Sequence, residues 1–264
     1  MGGYAADMNR PFPALASRPL DAAELAGFAA DGFVLLGRVL DDQQLATLRA
    51  EEAQLRHSVT PMNSGVETGN ITIFRSQVLA YAPGTRAFAL GGPHLPAVAS
   101  LIGPNVSCWF SQFVTKHPDG ARGTSEFPWH QDNGYGAVTP ATNITVWTAL
   151  DDVDEQNGCV WVVPGSHRQG LLPHRTPNAD SWHMTLAVEG DGIPVRMKAG
   201  EAVAFSGLTL HRSTLNHTDR PRRAFFLEYA DCDALVDHPG TGPLKVTERS
   251  HSWVVQGRAT LAGR

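Results

Sequence analysis

Residues 127–132 read FPWHQD, and this stretch, taken with the distant His211, decides both the fold and the site. In a β-strand the residues i and i+2 point to one face, so His130 and Asp132 are expected together and Gln131 on the opposite face. His211 would complete a set of two imidazoles and one carboxylate. That set leaves three positions of an octahedral ion open, which favours a catalytic Fe(II) site over a structural zinc site.

A second H-x-D pattern, His217 with Asp219, competes with the first one. The first pattern follows a short aromatic approach, residues 127–129, that is able to form a strand. The second lies in residues 216–221, a polar segment that ends in proline and is typical of a turn. We therefore predict that His130 binds metal and that His217 is solvated.

Four segments surround the candidate ligands: residues 129–132 (WHQD), 144–152 (ITVWTALDD), 157–167 (NGCVWVVPGSH) and 211–224 (HRSTLNHTDRPRRA). They resemble the phytanoyl-CoA dioxygenase family of Fe(II)/2-oxoglutarate oxygenases, and the resemblance covers most of the chain. It implies that Fe(II) is bound by His130, Asp132 and His211. It also implies 2-oxoglutarate as the cosubstrate and O2 as the oxidant.

The same resemblance implies how the cosubstrate is held. The arginine that pairs with the far carboxylate of 2-oxoglutarate lies eleven residues after the distal histidine, which here is Arg222, with Arg223 only its neighbour. A planar guanidinium suits this role because it makes two parallel charge-assisted hydrogen bonds to a carboxylate. Ser213 shares a predicted strand face with His211 and is expected to donate its hydroxyl to the same carboxylate.

Further cosubstrate contacts are expected from neighbouring strands. Alternation along residues 143–151 puts Thr145 and Trp147 on the face toward the site. The resemblance places Trp147 against the cosubstrate, and a tryptophan packed in the barrel core is the alternative. Gln112, on the preceding strand, is a further expected contact. Lys116 begins the loop before the metal strand and is expected to contact cosubstrate or substrate, with a solvated lysine as the alternative.

The substrate itself is not named by any motif. Candidate pocket residues, which mix aromatic and cationic groups and so suit a polar or anionic metabolite, are Phe74, Arg75, Trp182 and His183, together with Lys116. Residues 168–192 show no clear period, and a stretch of this length is usually functional or disordered. We predict that it forms a lid over the metal, with a surface loop as the alternative.

The order of elements predicts helices first and strands after. Helices are expected within residues 21–57, where Asp21 and Asp41 or Asp42 are suitable N-caps. Strands are expected at residues 106–116, 127–132, 143–151, 159–163, 193–197, 202–205, 208–213 and 222–230. Eight strands over a core of about 106–230 predict a mainly β fold with flanking helices, a double-stranded β-helix or jelly roll.

Composition predicts one soluble enzyme domain over residues 1–264. The chain is 42% apolar, with a net charge of −5 and a pI near 6.1, which offers no basic surface for nucleic acid. No apolar run approaches the ~20 residues that span a bilayer. Three cysteines and the absence of a secretion signal favour the cytoplasm. We expect the protein to be a monomer or a homodimer.

These features together predict the hydroxylation of an unactivated C–H bond in a small metabolite, with release of succinate and CO2. An oxygenase of the same fold that desaturates, cyclises or epimerises its substrate is the first alternative. A metal-bearing jelly-roll protein that binds a ligand without turnover is the second. The complete ligand set together with Arg222 argues against the second alternative.

Overall fold

The computed structural model describes residues 17–58, 65–68 (backbone only), 72–119, 123, 125–176, 185–188, 190–237, 242–249 and 251–257. The α-helices of this part are α1 Ala22–Asp31, α2 Asp42–Leu55, α3 Pro83–Gly91 and α4 Leu95–Ile102. The strands are β1 Phe33–Arg38, β2 Gly65–Thr68, β3 Thr72–Ser76, β4 Val106–Lys116, β5 Phe127–His130, β6 Val138–Thr139, β7 Ile144–Ala149, β8 Val160–Val162, β9 Ile193–Val195, β10 Glu201–Ser206, β11 His211–Ser213, β12 Arg222–Asp231, β13 Leu235–Val236, β14 Leu244–Lys245 and β15 Trp253–Gln256.

The first two helices form where the capping residues predict them. Asp21 accepts a hydrogen bond from the Glu24 amide, and the Glu24 carboxylate accepts one from the Asp21 amide, which is a capping box. Asp41 and Gln44 make the same exchange at the start of α2. Caps of this kind satisfy amides that have no partner within the helix and so fix where each helix begins.

Two facing antiparallel sheets form the barrel. The larger sheet has the strand order β1-β10-β7-β12-β4-β3-β2, with β15 added to β4, and the smaller sheet has the order β5-β11-β8-β9. A third, short sheet joins β14, β13 and β6. Two sheets of this kind with helices packed outside form the predicted double-stranded β-helix, so the expected fold class is confirmed.

The larger sheet separates two layers of core. Along β7, Ile144 and Val146 pack in a cluster with the helices, whereas Trp147 and Ala149 pack in a second cluster with strands of the smaller sheet. This is the alternation that a strand imposes on its side chains. Residues that face the space between the two sheets can therefore build a site, and residues on the other face hold the helices.

The structure corrects the predicted strands in several places, and β2, β3 and β6 are among the strands that the sequence pattern did not predict. The strand predicted for residues 127–132 ends at His130, and Asp132–Gly134 forms a turn of 3-10 helix. Phe33–Arg38 is a strand on the edge of the larger sheet that the pattern did not predict. The chain beyond residue 230 adds three more strands. Short apolar segments do not reveal by their period whether they will pair, because pairing depends on distant partners.

Two further features of the chain are the state of its cysteines and the character of its helices. Cys108, Cys159 and Cys232 are all buried, and none of them forms a disulfide. Burial raises the pKa of the Cys159 thiol to about 12, so this sulfur is unreactive. Among the helices of the described residues, none combines the length and the apolar character needed to cross a membrane.

Candidate active site

His130, Asp132 and His211 come together between the two sheets. One ligand atom from each lies within 4.8 Å of the other two. Asp132 Oδ1 is 3.6 Å from His130 Nε2 and 3.4 Å from His211 Nε2. The two histidines are direct cross-strand partners of β5 and β11, and their ring centroids are 4.0 Å apart. Strand pairing thus brings together two ligands that are far apart in sequence.

In each ligand, the side-chain atom that faces away from the other two ligands makes a hydrogen bond, and this bond orients the side chain. His130 Nδ1 donates to the Pro128 carbonyl over 2.8 Å, and His211 Nδ1 donates to the Thr209 carbonyl over 3.0 Å. Both Nε2 atoms are therefore the unprotonated ones in the neutral rings. Thr145 donates to Asp132 Oδ2 over 2.5 Å, which leaves Oδ1 toward the histidines.

The electrostatics of the cluster suit metal binding. Burial, and then the neighbouring His211 ring, lowers the pKa of His130 to about 4, so its imidazole is neutral at physiological pH. Burial alone would raise the pKa of Asp132, but the imidazoles of His211 and His130 outweigh it and lower that pKa below its ordinary range. A neutral His130 imidazole and an ionised Asp132 carboxylate are in the protonation states that bind a cation.

Asp132 reaches this position through a turn, which corrects the argument from strand alternation. Strand β5 ends at His130, and Gln131 points away from the cluster as expected, fully buried. Its side-chain amide donates to the Gly170 and Leu208 carbonyls, and its oxygen accepts from the Leu172 amide. These three hydrogen bonds anchor the bend after His130, and the 3-10 turn then carries the carboxylate back toward the histidines.

Arg222 lies at the start of β12, with only 1% of its surface exposed. Its Nη2 donates to the Gly158 carbonyl over 2.8 Å, and its Cζ lies 5.3 Å from the centre of the Trp147 ring. Its Nε and Nη1 are buried and have no hydrogen-bond partner within the part of the chain that the structure describes. Burial lowers the pKa of Arg222 to about 10, so the guanidinium stays charged. A buried cation with two unused donors is costly unless a ligand completes it.

Lys116 lies next to Arg222 and is fully buried, so the alternative of a solvated loop lysine is wrong. Its Nζ donates to Ser213 Oγ over 2.9 Å and to the Ser213 and Thr214 carbonyls. Burial, and then the Arg222 charge, lowers the pKa of Lys116 well below its ordinary value. Because Ser213 Oγ accepts from Lys116, its own proton remains available to a ligand.

The residues present fit the groups that the sequence implies. Two imidazoles and one carboxylate leave open positions on an Fe(II) ion, which a bidentate cosubstrate and O2 require. The orphaned donors of Arg222, with the Ser213 hydroxyl that Lys116 holds in place, suit the far carboxylate of a dicarboxylate such as 2-oxoglutarate. Both sets of groups line one cavity.

That cavity has a volume of about 340 Å³ and lies between the two sheets. Its aromatic lining residues are Phe74, Trp109, Phe110, Phe127, Tyr135, Trp147 and Phe226. The three candidate ligands line it together with the expected contacts Gln112, Trp147, Ser213 and Arg222. Thr145 and Lys116 do not line the cavity. Thr145 instead donates a hydrogen bond to Asp132, and Lys116 donates one to Ser213.

Two of the expected substrate contacts are on one strand but on opposite faces. Thr72, Phe74 and Ser76 line the cavity, whereas Arg75 does not and is buried on the other face of β3. Strand alternation is the reason, so Arg75 is corrected from substrate contact to a residue behind the sheet. Gln112 Nε2 donates to Ser76 Oγ over 2.8 Å.

Trp182 and His183 lie outside the described residues, as does the middle of the predicted lid. The described parts of residues 168–192 pack against the metal-bearing strand: His174 Nε2 accepts from the Gln131 amide, and the Leu186 amide donates to the Trp129 carbonyl. None of these described parts lines the cavity. The lid therefore stays a prediction.

The second H-x-D pattern is placed as predicted. His217 is exposed, and the Asp219 side chain is 93% exposed. Asn216, fully buried, closes the turn by accepting from the Thr218 amide and donating to the Arg220 carbonyl. This turn is thus held by its own hydrogen bonds, and it brings no ligand to the metal position.

Sequence reasoning missed a set of residues at the end of the cavity away from Arg222. Glu228, Trp109 and Arg249 all line it. Burial, and then the Asp132 charge, raises the pKa of Glu228 well above its ordinary value. The signal was present for Glu228, because it is the acidic residue in an otherwise apolar strand segment, FFLEYA. A buried acid on a strand of this kind is unusual and indicates a function.

Comparisons with known proteins agree with this geometry. The phytanoyl-CoA dioxygenase (PhyH) family model matches residues 28–224. The peroxisomal phytanoyl-CoA dioxygenases of Bos taurus and Homo sapiens are 27% and 28% identical to the chain, and each alignment covers 80% of the chain and 69% of the relative.

Solved structures share the fold. The non-heme alpha-ketoglutarate-dependent carbocyclase SnoK of nogalamycin biosynthesis has a TM-score of 0.72 at 21% identity, covering 93% of this chain and all of that one. The ectoine-related enzyme EctD of S. alaskensis, solved with 2-oxoglutarate and 5-hydroxyectoine, has a TM-score of 0.63 at 21% identity, covering 84% of this chain and 83% of that one. With the family match over three quarters of its length, this chain belongs to the phytanoyl-CoA dioxygenase family.

Proposed function

We propose that the protein is an Fe(II)- and 2-oxoglutarate-dependent oxygenase that hydroxylates an unactivated C–H bond of a small molecule. One observation carries the proposal: the His130, Asp132 and His211 cluster shares a cavity with the buried Arg222, which has two orphaned donors. A metal site alone would suit many proteins. A metal site that faces a preformed carboxylate receptor suits this cosubstrate.

Bound Fe(II) would supply the oxidative decarboxylation of 2-oxoglutarate by O2, in which one oxygen atom enters succinate and the other enters the substrate as a hydroxyl group. The protein's contribution is positioning. His130, Asp132 and His211 hold the metal, Thr145 fixes the carboxylate, and Arg222 fixes the far end of the cosubstrate.

The surroundings of the cluster keep its geometry and limit water. All three ligands are at least nine-tenths buried, and the Trp147 ring, which lies against Arg222, lines the same cavity. Lys116 and the Gly158 carbonyl, which both come from strand ends, hold the receptor in place. A low-dielectric wall strengthens each charged hydrogen bond within the site.

Hydroxylation is the proposed outcome, and the alternatives differ in a measurable way. Structures described as a carbocyclase and as an epimerase share this fold, and fold alone does not select among outcomes. Hydroxylation adds one oxygen to the substrate, desaturation or ring closure removes two hydrogens, and epimerisation leaves the mass unchanged. A non-catalytic binding protein would release no succinate above background.

The organisation proposed for the chain is one domain over residues 1–264. The single family match from residue 28 to residue 224 supports it. Residues 168–192 are proposed to form a lid that covers the substrate. Three free, buried cysteines support a reducing compartment, for which the cytoplasm is our proposal.

The test measures bound iron and succinate. Purified protein with Fe(II), 2-oxoglutarate and O2 is expected to release succinate slowly even without substrate, and the single changes His130→Ala, Asp132→Ala and His211→Ala are each expected to abolish both iron binding and succinate release. Two remaining protein ligands hold the ion too weakly. His217→Ala, in the exposed second H-x-D pattern, is the matched control and should match wild type. Full iron retention and succinate release in the Asp132→Ala protein would contradict the assignment.

A further inference from the structure

Three polar side chains at one end of the cavity have hydrogen-bonding capacity that no residue described by the structure uses. Glu228 Oε2 and Trp109 Nε1 are buried and have no hydrogen-bond partner among the described residues, although the Asn143 side chain and the Arg249 charge both act on the Glu228 carboxyl. Glu228 and Trp109 are both about 6% exposed. The Arg249 guanidinium lies 5.1 Å from the Trp109 ring and makes no hydrogen bond or ion pair with any residue the structure describes. All three residues line the same cavity as the metal cluster.

The fold presents these groups through one strand and one bulge. Arg222, Phe226 and Glu228 lie on one face of β12 and line the cavity. Six residues of strand, about 20 Å, separate the first from the last. Opposite Glu228, the pairing register with β4 shifts, so that Phe110 pairs with Glu228 while Trp109 has no partner. A bulge of this kind re-aims a side chain, and here it turns both Trp109 and Phe110 to the cavity.

Unpartnered polar groups in this position are costly for a purely structural wall. A buried donor or acceptor without a hydrogen bond loses its hydration and gains nothing in return. Two such atoms in one corner, beside the half-buried guanidinium of Arg249, indicate that a ligand completes them. Arg222 shows the same pattern at the other end of the cavity, where the cosubstrate is proposed to bind.

The wall between the two ends is aromatic. Phe110 and Phe226 meet edge to face with ring centroids 5.9 Å apart, and Phe127 packs against the His130 ring at 4.5 Å. Tyr135, 38% exposed, stands at the mouth. Rings of this kind bind flat, apolar frameworks by stacking and edge contacts. The cavity thus offers an apolar middle and a polar end.

We propose that Glu228, Trp109 and Arg249 form the polar anchor of the substrate, and that the substrate is a mainly apolar, ring-bearing molecule with a hydroxyl group at Glu228 and an acidic oxygen at Arg249. A hydroxyl group both donates and accepts, so it can pair with Glu228 in either protonation state. The acidic oxygen receives the charge of Arg249 and the indole donor of Trp109. This inference rests on the proposed oxygenase function.

The probes are 6-hydroxy-2-naphthoate, 2-naphthoate, which lacks the hydroxyl group, and 6-hydroxy-2-naphthamide, which lacks the charge. Their binding is measured by calorimetry to protein loaded with Mn(II) and 2-oxoglutarate, so that no turnover occurs. The variants are Arg249→Gln, Glu228→Leu and Glu228→Gln. Arg220→Gln is the control, because the Arg220 side chain is 87% exposed and lies outside the cavity.

Arg249→Gln is expected to weaken 6-hydroxy-2-naphthoate about tenfold or more and to change the affinity of the amide much less. Glu228→Leu, which removes the hydrogen bond, should weaken 6-hydroxy-2-naphthoate about fivefold without weakening 2-naphthoate, and Glu228→Gln should restore the preference for the hydroxyl group. Arg220→Gln should match wild type throughout.

Titration with 2-oxoglutarate distinguishes a failure of the proposed oxygenase function from a failure of the proposed substrate anchor. If wild type does not bind 2-oxoglutarate, the proposed function itself fails. If 2-oxoglutarate binds normally but the naphthoates do not bind, or if their affinities are the same in wild type, Arg249→Gln and Glu228→Leu, then this inference alone is overturned.

Discussion

The two ends of the cavity hold their buried polar groups in different ways. At the end proposed for the cosubstrate, Arg222 donates one nitrogen to the Gly158 carbonyl, and Lys116 donates to three oxygens of Ser213 and Thr214. At the end proposed for the substrate, Glu228 Oε2 and Trp109 Nε1 have no hydrogen-bond partner among the described residues. The first end is prepared for one ligand in one orientation, while the second has its donors and acceptors fixed only by strand and bulge geometry.

This difference follows from what each end must recognise. A cosubstrate with two charged ends calls for a rigid receptor, and backbone carbonyls around a cation provide one. A substrate end needs side chains that only the correct molecule satisfies, because leaving buried polar groups unpaired rejects other molecules. If this contrast is correct, a change at the first end should alter cosubstrate binding alone.

The largest expected effect is therefore at Arg222. Arg222→Ala should weaken 2-oxoglutarate binding by about 2 to 5 kcal/mol, because it removes one partner of a buried, hydrogen-bonded charge pair. Calorimetric titration of the metal-loaded protein measures it. Arg222→Lys should recover only part of the loss, since a point charge cannot make the two parallel hydrogen bonds.

Arg223→Ala is the matched control for that change. Arg223 is the next residue on β12, points to the other face and pairs with Asp151 through two hydrogen bonds. Arg223→Ala should leave the 2-oxoglutarate affinity unchanged. A larger loss for Arg223→Ala than for Arg222→Ala would show that the cosubstrate lies on the other face of the strand.

The same difference between the two ends explains which parts of the site could be predicted from the sequence. Arg222 and Ser213 lie at fixed offsets from a histidine, so the family resemblance could assign both to the cavity that they line. Strand β4 was predicted with its observed bounds of Val106–Lys116. The turn that positions Asp132 and the burial of Lys116 depend on contacts with distant segments, residues 170–172 and 213–214. No local pattern encodes those contacts.

The substrate end was less accessible to sequence analysis for a specific reason. Trp109 reaches the cavity through a bulge, and a bulge shifts the register by one residue without a sequence signal in this strand. Arg249 comes from the chain beyond the predicted core. Arg75 was assigned to the pocket as a cationic group alongside the aromatic Phe74, although adjacent residues on a strand face opposite sides.

An intermediate effect is expected at Thr145, which lies between the two ends and is the cross-strand partner of Glu228. Thr145→Val removes the hydrogen bond to Asp132 Oδ2 while keeping the shape of the side chain. Metal affinity should fall about 10- to 100-fold, as is usual when a partner of a metal ligand is lost. Equilibrium dialysis with Fe(II) under anaerobic conditions measures it.

Thr148→Val is the matched control on the same strand. Thr148 is equally buried, but it lies on the other face of β7, and its hydroxyl has no hydrogen-bond partner. Metal affinity should stay at the wild-type value. Equal losses in the two variants would mean that Thr145 supports the strand rather than the carboxylate of Asp132.

The smallest expected effect concerns the stability cost of the incomplete substrate end. Burial, and then Asp132, holds the pKa of Glu228 well above its ordinary value, so the folded protein keeps a proton that the unfolded chain releases. A raised pKa stabilises the fold fully only below the unfolded value of about 4.3, and that stability is lost as pH rises toward the folded pKa. Glu228→Gln has no proton to release. Its Tm should therefore match wild type near pH 4 and exceed it increasingly as the pH rises from there, by roughly 2 to 4 °C for each kcal/mol relieved. Thermal melts of the metal-free protein across this range measure the difference, and a difference that stays constant with pH would show that Glu228 is ionised in the folded protein and has a partner that satisfies it.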